Sequence, residues 1–343
     1  MPPRARVALR PSPQLRVDHL PPDVAVSGLA RYEDVVAASG GTASALRLVD
    51  AYARAATPVV FVGETGTGKS LLASLLHQLS GRSGPFVDVP AGELDAGLAA
   101  DQLFGHVRGA YTGARDGRAG RLATARDGTI LLDDFHLLRR SVQYLLLRAF
   151  ERRVFQPVGS DTEVPLTCRL VVGVASEPDA LVQRGRMLAD LRHRLGHCTI
   201  RLPRLADRRD EILPLARKFL EYAPSVTQIA NGPSRFDCML EAVLETLDYK
   251  GNVRDLKGVV EAAYLHGAAA GVRTLTVEHL PEGVAGMGAF QRRGSRARQL
   301  AVVALALRRT RGRVGEAARM IGASRNTVAG LRKELGKASS GRD

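Results

Sequence analysis

Residues 63–70, Gly63-Glu64-Thr65-Gly66-Thr67-Gly68-Lys69-Ser70, combine three glycines, a lysine and a hydroxyl in the spacing that phosphate binding requires. The glycines let backbone N–H groups converge on phosphate oxygens. Lys69 neutralises the terminal phosphates, and the Ser70 hydroxyl is placed to hold Mg²⁺. A second signal follows in Thr129-Ile130-Leu131-Leu132-Asp133-Asp134, an apolar run ending in two carboxylates. In such a pair Asp133 holds Mg²⁺ through water and Asp134 orients an attacking water, so the two segments together point to nucleotide hydrolysis.

Both segments need strands to aim them. The apolar run Val59–Val62 precedes the phosphate loop, and a helix over Leu71–Leu79 follows it. Further runs at Phe86–Val89, Thr129–Asp133, Leu170–Val174 and Thr199–Leu202 alternate with helical stretches, the pattern of buried parallel strands in an α/β sheet. Residues 207–285 carry helical spacing without convincing strands, over Glu211–Tyr222, Asp237–Leu247 and Val253–His266, and predict a small helical domain. Beyond a linker at 286–297, three helices fit within 298–337. Leu300, Val303, Ala304 and Leu307 share one face, as do Val314, Ala317, Ala318 and Ile321. Gly322 and Ala323 turn the chain, Ser324 caps, and Val328, Leu331 and Leu335 line the third helix. Residues 1–34, rich in Pro and Arg, are expected to form an irregular arm, too short for a sensory domain.

At 343 residues with 45% hydrophobic content, the chain can bury a full core in two or three domains. Its formal charge is +14, and residues 291–343 hold fourteen Lys or Arg against Glu316, Glu334 and Asp343. Such a concentration suits a polyanion. Cys168, Cys198 and Cys238 are widely spaced, which argues against a disulfide scaffold or a structural zinc site. With no apolar run of bilayer length and no signal-peptide core, the expected location is cytoplasmic, without a membrane partner. His193 and His197 have the spacing of a zinc pair, but Gly196 interrupts the helix and no Glu follows His193.

Gly109-Ala110-Tyr111-Thr112-Gly113-Ala114 adds something unlike a nucleotide site. Glycines flank a small, aromatic-centred, hydroxyl-bearing stretch, a finger whose Tyr111 and Thr112 can touch another macromolecule. With the phosphate loop, this hexapeptide resembles the family of bacterial enhancer-binding activators of sigma-54 RNA polymerase, in which it reads GAFTGA and Tyr111 stands for Phe. The likeness runs from about residue 35 to the end. It is carried by Pro85-Phe86-Val87, Gln102-Leu103-Phe104-Gly105-His106, Leu146-Leu147-Arg148, Phe155-Gln156-Pro157-Val158-Gly159, Leu202-Pro203-Arg204-Leu205, Arg208 to Ile212 and Gly251-Asn252-Val253-Arg254-Asp255-Leu256.

The resemblance implies an AAA+ P-loop NTPase core at 35–206, a helical lid at 207–285 and a Fis-type helix-turn-helix at 298–337. It implies that residues 109–114 contact sigma-54, that Arg254 reaches the nucleotide phosphates from the lid, and that Arg194 acts on a neighbour's nucleotide in a homo-oligomeric ring, a hexamer in the family. In the tail, the third helix enters the major groove of double-stranded DNA from Ser324 onward, with Arg325, Asn326 and Ala329 facing base edges. Arg332 and Lys333 meet phosphates.

The departures from the family pattern fall on hydrolysis. Asp134 stands for Glu, shorter by one methylene or about 1.5 Å, where a general base contributes roughly 10² to 10⁴ in rate. Pro90 replaces an Asn that restrains the catalytic acid, and Ala175-Ser176 replace a polar sensor residue. Leu188 occupies the place of a second trans-acting arginine, with Arg186 two residues earlier as the candidate substitute. The expected activity is an ATP- and Mg²⁺-dependent ATPase that binds enhancer DNA and remodels the sigma-54 RNA polymerase closed complex. The alternative is a nucleotide-binding, DNA-bound transcriptional regulator with little or no hydrolysis.

Overall fold

The computed structural model describes residues 40–95, 97–111, 116–281, 296–321 and 323–339. In chain order its first elements are α1 (Gly40–Ala53), β1 (Val59–Val62), α2 (Lys69–Ser80), β2 (Phe86–Pro90), α3 (Ala99–Phe104), β3 (Gly105–His106), β4 (Arg118–Ala119), α4 (Arg121–Thr124) and β5 (Thr129–Asp133). They are followed by α5 (Arg140–Arg152), β6 (Val154–Phe155), β7 (Val164–Pro165), β8 (Arg169–Val174), α6 (Pro178–Gln183), α7 (Ala189–Leu195) and β9 (Thr199–Arg201). The five predicted strands pair in parallel in the order β2-β5-β8-β1-β9.

Apolar residues at successive strand positions need cover on both faces, and they have it. Val60, Val62, Ile130, Leu132, Leu170 and Val172 face a core that includes Val142, Leu146 and Phe150 of α5. The alternate residues Val59, Phe61, Leu131, Val171 and Ile200 meet Ala45 and Val49 of α1 and Leu72, Leu75 and Leu76 of α2. At the start of β8 the buried Arg169 donates to the Tyr52, Ala53 and Thr57 carbonyls at 2.7, 2.6 and 3.2 Å, which satisfies the end of α1. Because the sheet is parallel, the loops after β1 and β5 leave it at the same edge.

The next elements are α8 (Ile212–Thr227), β10 (Arg235–Phe236), α9 (Cys238–Thr246), α10 (Asn252–Ala269) and β11 (Thr274–Leu275). The parallel pair β10–β11 corrects the expectation of a strand-free segment; strands of two residues are too short to leave a period. The Asp237 carboxylate caps α9 by accepting from the Leu240 N–H at 2.7 Å. α11 (Arg296–Arg309), α12 (Val314–Met320) and α13 (Arg325–Ser339) are the last elements among the described residues. Their buried residues Val302, Val303, Ala306, Ala317, Val328 and Leu331, with Ile321 just after α12, continue the core built by α8, α9 and α10. α11 packs on α9, and Arg309 pairs with Asp237.

One buried polar network joins the sheet region to the helices that follow. Arg208 donates to Glu211 Oε2 at 2.9 Å and to Thr42 Oγ1 at 2.7 Å, while Glu211 Oε1 accepts from the Thr42 N–H and hydroxyl at 2.9 and 2.5 Å. The Arg208 and Glu211 side chains are 0% and 3% exposed. Removing one partner of such a pair strands the other charge at a cost of about 3–5 kcal/mol. Glu211→Ala is therefore expected to lower the urea midpoint, followed by circular dichroism because the chain has no Trp. An unchanged midpoint would show that the network does not hold the fold.

Candidate nucleotide site and finger

The phosphate loop begins where β1 ends, with Gly66 and Gly68 at φ 80° and 105°. Such angles favour glycine, and a Cβ on Gly66 would stand 2.1 Å from the Gly251 carbonyl oxygen. Lys69, buried, donates to the Gly63 carbonyl at 3.1 Å and lies 3.7 Å from Asp133 and 4.0 Å from Asp134. The Ser70 hydroxyl donates to Asp133 Oδ2 at 3.1 Å. The residues expected to serve phosphate and cation are thus brought together at one edge of the sheet.

Gly173 makes this convergence possible. A Cβ there would stand 2.1 Å from Asp133 Oδ1, so any larger residue on β8 would push the carboxylate away. Asp134 sits in the left-handed region at φ 49°, and its N–H donates to Asp133 Oδ1 at 2.9 Å. Its own Oδ1 is buried without a hydrogen-bond partner, an orphan of the kind a ligand or bound water satisfies. The donor set fits Mg²⁺, which takes one or two protein oxygens and fills its remaining positions with phosphate and water. Among the described residues, no group of three or more His, Cys, Asp or Glu could enclose a metal ion.

The lid side of the loop is fastened by residues whose roles sequence reasoning missed. Asn252, buried and at φ 57°, donates to Glu64 Oε2 and the Thr65 carbonyl, both at 3.2 Å, and accepts from the Leu205 N–H at 2.8 Å. Val253 N–H donates to the Gly66 carbonyl at 3.0 Å, and Arg208 donates to the Thr67 carbonyl at 2.7 Å. Arg254 is exposed beside Gly66. In the sequence Asn252 stands out only as a member of the Gly251–Leu256 motif, and nothing there points to its bonds with the loop, although Asn tolerates positive φ better than most residues.

The two candidate trans-acting arginines lie apart. Arg194 donates to the Phe150 carbonyl at 3.3 Å in a hollow shared with Pro58, Arg153 and His193, where the chain enters β1 rather than where it leaves. Arg186 is exposed, and its charge is one of those that lower the His136 pKa. Burial is the main cause of a lowered His136 pKa. Leu188 is buried in the sheet core.

The finger leaves the sheet region through the antiparallel pair β3–β4, with Gly105 opposite Ala119 and His106 opposite Arg118. Gly109 is at φ 82°, and Tyr111 is 42% exposed. Thr112, Gly113 and Ala114 lie outside the described residues. Val158 is hydrogen-bonded to both sides of His106, accepting from Val107 N–H at 3.2 Å and donating to the Gly105 carbonyl at 2.8 Å. A Cβ on Gly159 would stand 2.7 Å from that of Ala110. The 156–159 segment and the finger's root thus form one layer.

On the terminal helices, the Ser324 hydroxyl accepts from the Thr327 N–H at 3.1 Å as the predicted cap. Arg325, Asn326, Arg332 and Lys333 are exposed, whereas Ala329, expected on the open face, is half-buried. Arg332 donates to the Gly312 carbonyl at 3.3 Å.

Asp88 on β2 reports on the acidic cluster. Desolvation, then the charges of Asp133 and Glu93, raise its pKa to about 6 although part of the residue stays open to solvent. A raised carboxyl pKa favours the folded state at low pH, and that contribution is lost as pH rises from the ordinary value of 3.8 through about 6. Carbon-13 NMR of the Asp88 carboxyl is expected to show a midpoint near 6 that moves down in Asp133→Asn. A midpoint indifferent to that substitution would contradict the placement of the two carboxyls.

The family described as "Sigma-54 interaction domain" matches residues 35–201, and "AAA+ ATPase lid domain" matches residues 206–296. The chain is 33% identical over 277 residues to "Pathogenicity locus probable regulatory protein HrpS" of Pseudomonas syringae pv. syringae, covering 81% of this chain and 89% of that protein. It is 36% identical over 208 residues to "Sigma54-dependent transcriptional activator SfnR" of Pseudomonas putida, covering 60% of this chain and 56% of the relative. The chain therefore spans little more than half of that longer protein. Among solved structures it is similar to NtrX from Brucella abortus in complex with ADP, with a TM-score of 0.66 and 25% identity over 92% of this chain and 72% of that one. Among the described residues no helix is long and apolar enough to cross a membrane. With its phosphate loop, acidic pair and finger on one AAA+ sheet, the chain belongs to the sigma-54-dependent transcriptional activators.

Proposed function

We propose that this protein is an ATPase that couples turnover of Mg²⁺-ATP to remodelling of the sigma-54 RNA polymerase closed complex. In this reading residues 35–206 form the motor, 207–285 its lid and 298–337 a helix-turn-helix that binds enhancer DNA. The observation that carries it is the convergence of Lys69, Ser70, Asp133 and the orphaned Asp134 oxygen at a loop that the lid also grips. Lys69 and the loop amides bind the phosphates, Ser70 and Asp133 hold the cation, and Asp134 orients the attacking water. Arg254 approaches the nucleotide from the lid side.

Arg194, remote from the chain's own phosphate loop, serves a neighbouring subunit's nucleotide in a ring, a hexamer by analogy with the family. Residues 109–114 contact sigma-54, with Tyr111 already open to solvent. Arg186, exposed two residues before Leu188, stands in for the second trans-acting arginine. The protein acts in the cytoplasm.

A second reading, a nucleotide-binding regulator with little or no hydrolysis, is favoured by one observation. Asp134 is one methylene shorter than the family's Glu, and its backbone is held at φ 49° with its N–H tied to Asp133 Oδ1 at 2.9 Å, so its carboxylate stands back from an attacking water. Steady-state phosphate release with enhancer DNA present separates the two. The motor predicts turnover at least about 10³-fold above Lys69→Ala, and equal rates would leave the non-hydrolysing regulator.

Two binding measurements complete the test. Capture of sigma-54 in the presence of ADP and aluminium fluoride is expected for the wild type and lost in Thr112→Ala; equal capture would remove the finger from the contact. Arg325→Ala is expected to weaken specific DNA binding by about 1–3 kcal/mol, and Lys333→Ala to reduce the salt slope by about one. Unaltered binding in both would take α13 out of the DNA interface.

A further inference from the structure

The root of the finger is closed by a single side chain. His106 stands on the outgoing stem β3, with Nδ1 2.5 Å from Asp101 Oδ1 on α3 and Nε2 2.9 Å from the Asp116 carbonyl oxygen on the returning stem. The His106 and Asp101 side chains are each 8% exposed, and the Tyr111 ring stacks obliquely 5.3 Å from the imidazole. Its own backbone is fixed by the flanking hydrogen bonds to Val158. The imidazole therefore ties three pieces of chain that are separate in sequence.

A carbonyl oxygen can only accept, so Nε2 must carry a hydrogen. Nδ1 faces a carboxylate oxygen, so another hydrogen must lie between those two atoms. The His106–Asp101 pair thus holds one proton more than a neutral imidazole beside an ionised carboxylate. If that proton leaves, a ring lone pair faces either the Asp101 carboxylate or the Asp116 carbonyl. Acceptor then opposes acceptor in a nearly closed space, and the stems lose a charge-assisted hydrogen bond.

We propose that His106 is a positioning residue of the finger: with Asp101 it forms a proton-bearing clamp that joins the two stems and sets the direction of Tyr111. The groups that meet it are Asp101 from α3, Arg118 opposite it on β4, and Tyr111 and the Asp116 carbonyl on the finger, with Arg108 two residues further along the chain; residues 156–159 bring no charge. The clamp rests on the proposed sigma-54 contact only for what the finger touches.

The test uses the full chain labelled with nitrogen-15 histidine. Two-bond spectra read the ring of His106 between about pH 5 and 9, and hydrogen exchange, corrected for intrinsic rates, reads the Val107 and Ala110 amides. Both ring nitrogens are expected to carry hydrogen at the acid end. Loss of one hydrogen should accompany about tenfold or greater acceleration of exchange over the same pH range. His106→Ala should exchange rapidly at every pH.

Asp101→Asn separates a proton clamp from mere packing. The Asn amide can donate to Nδ1 of a neutral imidazole, so its stems should stay protected and lose their pH dependence. Ring titration with unchanged exchange, full protection in His106→Ala, or Asp101→Asn behaving like His106→Ala would each overturn the clamp. Sigma-54 capture should fall about tenfold in His106→Ala. If the wild type captures no sigma-54, the functional reading fails while the exchange data still judge the clamp.

Discussion

The phosphate loop is held from two sides, and the rest of the molecule is organised around that grip. From the sheet, β1 delivers the loop, and Lys69 turns back onto the Gly63 carbonyl. From the lid, Asn252 and Val253 bind Glu64, Thr65 and Gly66, while Arg208 reaches Thr67 from a buried network that also includes Thr42 and Glu211. Two charges with almost no solvent access are tolerable only because each finds partners, which makes the junction an all-or-none arrangement. A change in the loop cannot be absorbed locally when its carbonyls are partners of the lid.

The finger is attached to the same sheet by a different logic. Its stems form a two-residue antiparallel pair, its root is bonded to Val158, and the segment after Val158 abuts Ala110 through Gly159. That segment follows α5, which begins soon after the acidic pair and packs on the face of the sheet carrying Ile130 and Leu132. Nucleotide site and finger are therefore joined through packed elements, with His106 where the two stems meet.

Much of this was legible in the sequence. Buried parallel strands leave continuous apolar runs, so Val59–Val62, Thr129–Asp133 and Leu170–Val174 stood out, and the loop and acidic pair fell at their ends. Ser324 declared itself as a cap by preceding a helical pattern. Long-range polar contacts were another matter. Arg208 sits in a charged run that resembles a solvated turn, and only the fold brings Thr42 and Glu211 around it. Gly173 is one small residue in the run Leu170–Val174, and only the fold shows that the Asp133 carboxylate needs its missing side chain. The His106–Asp101 contact spans a change from helix to strand, where neither period applies.

Hydrogen exchange with and without saturating ADP tests the central claim, that loop and lid respond as one body. The account predicts increased protection at residues 205–212 and 251–256 together with residues 63–70. Protection confined to residues 63–70, with both lid segments unchanged, would contradict it.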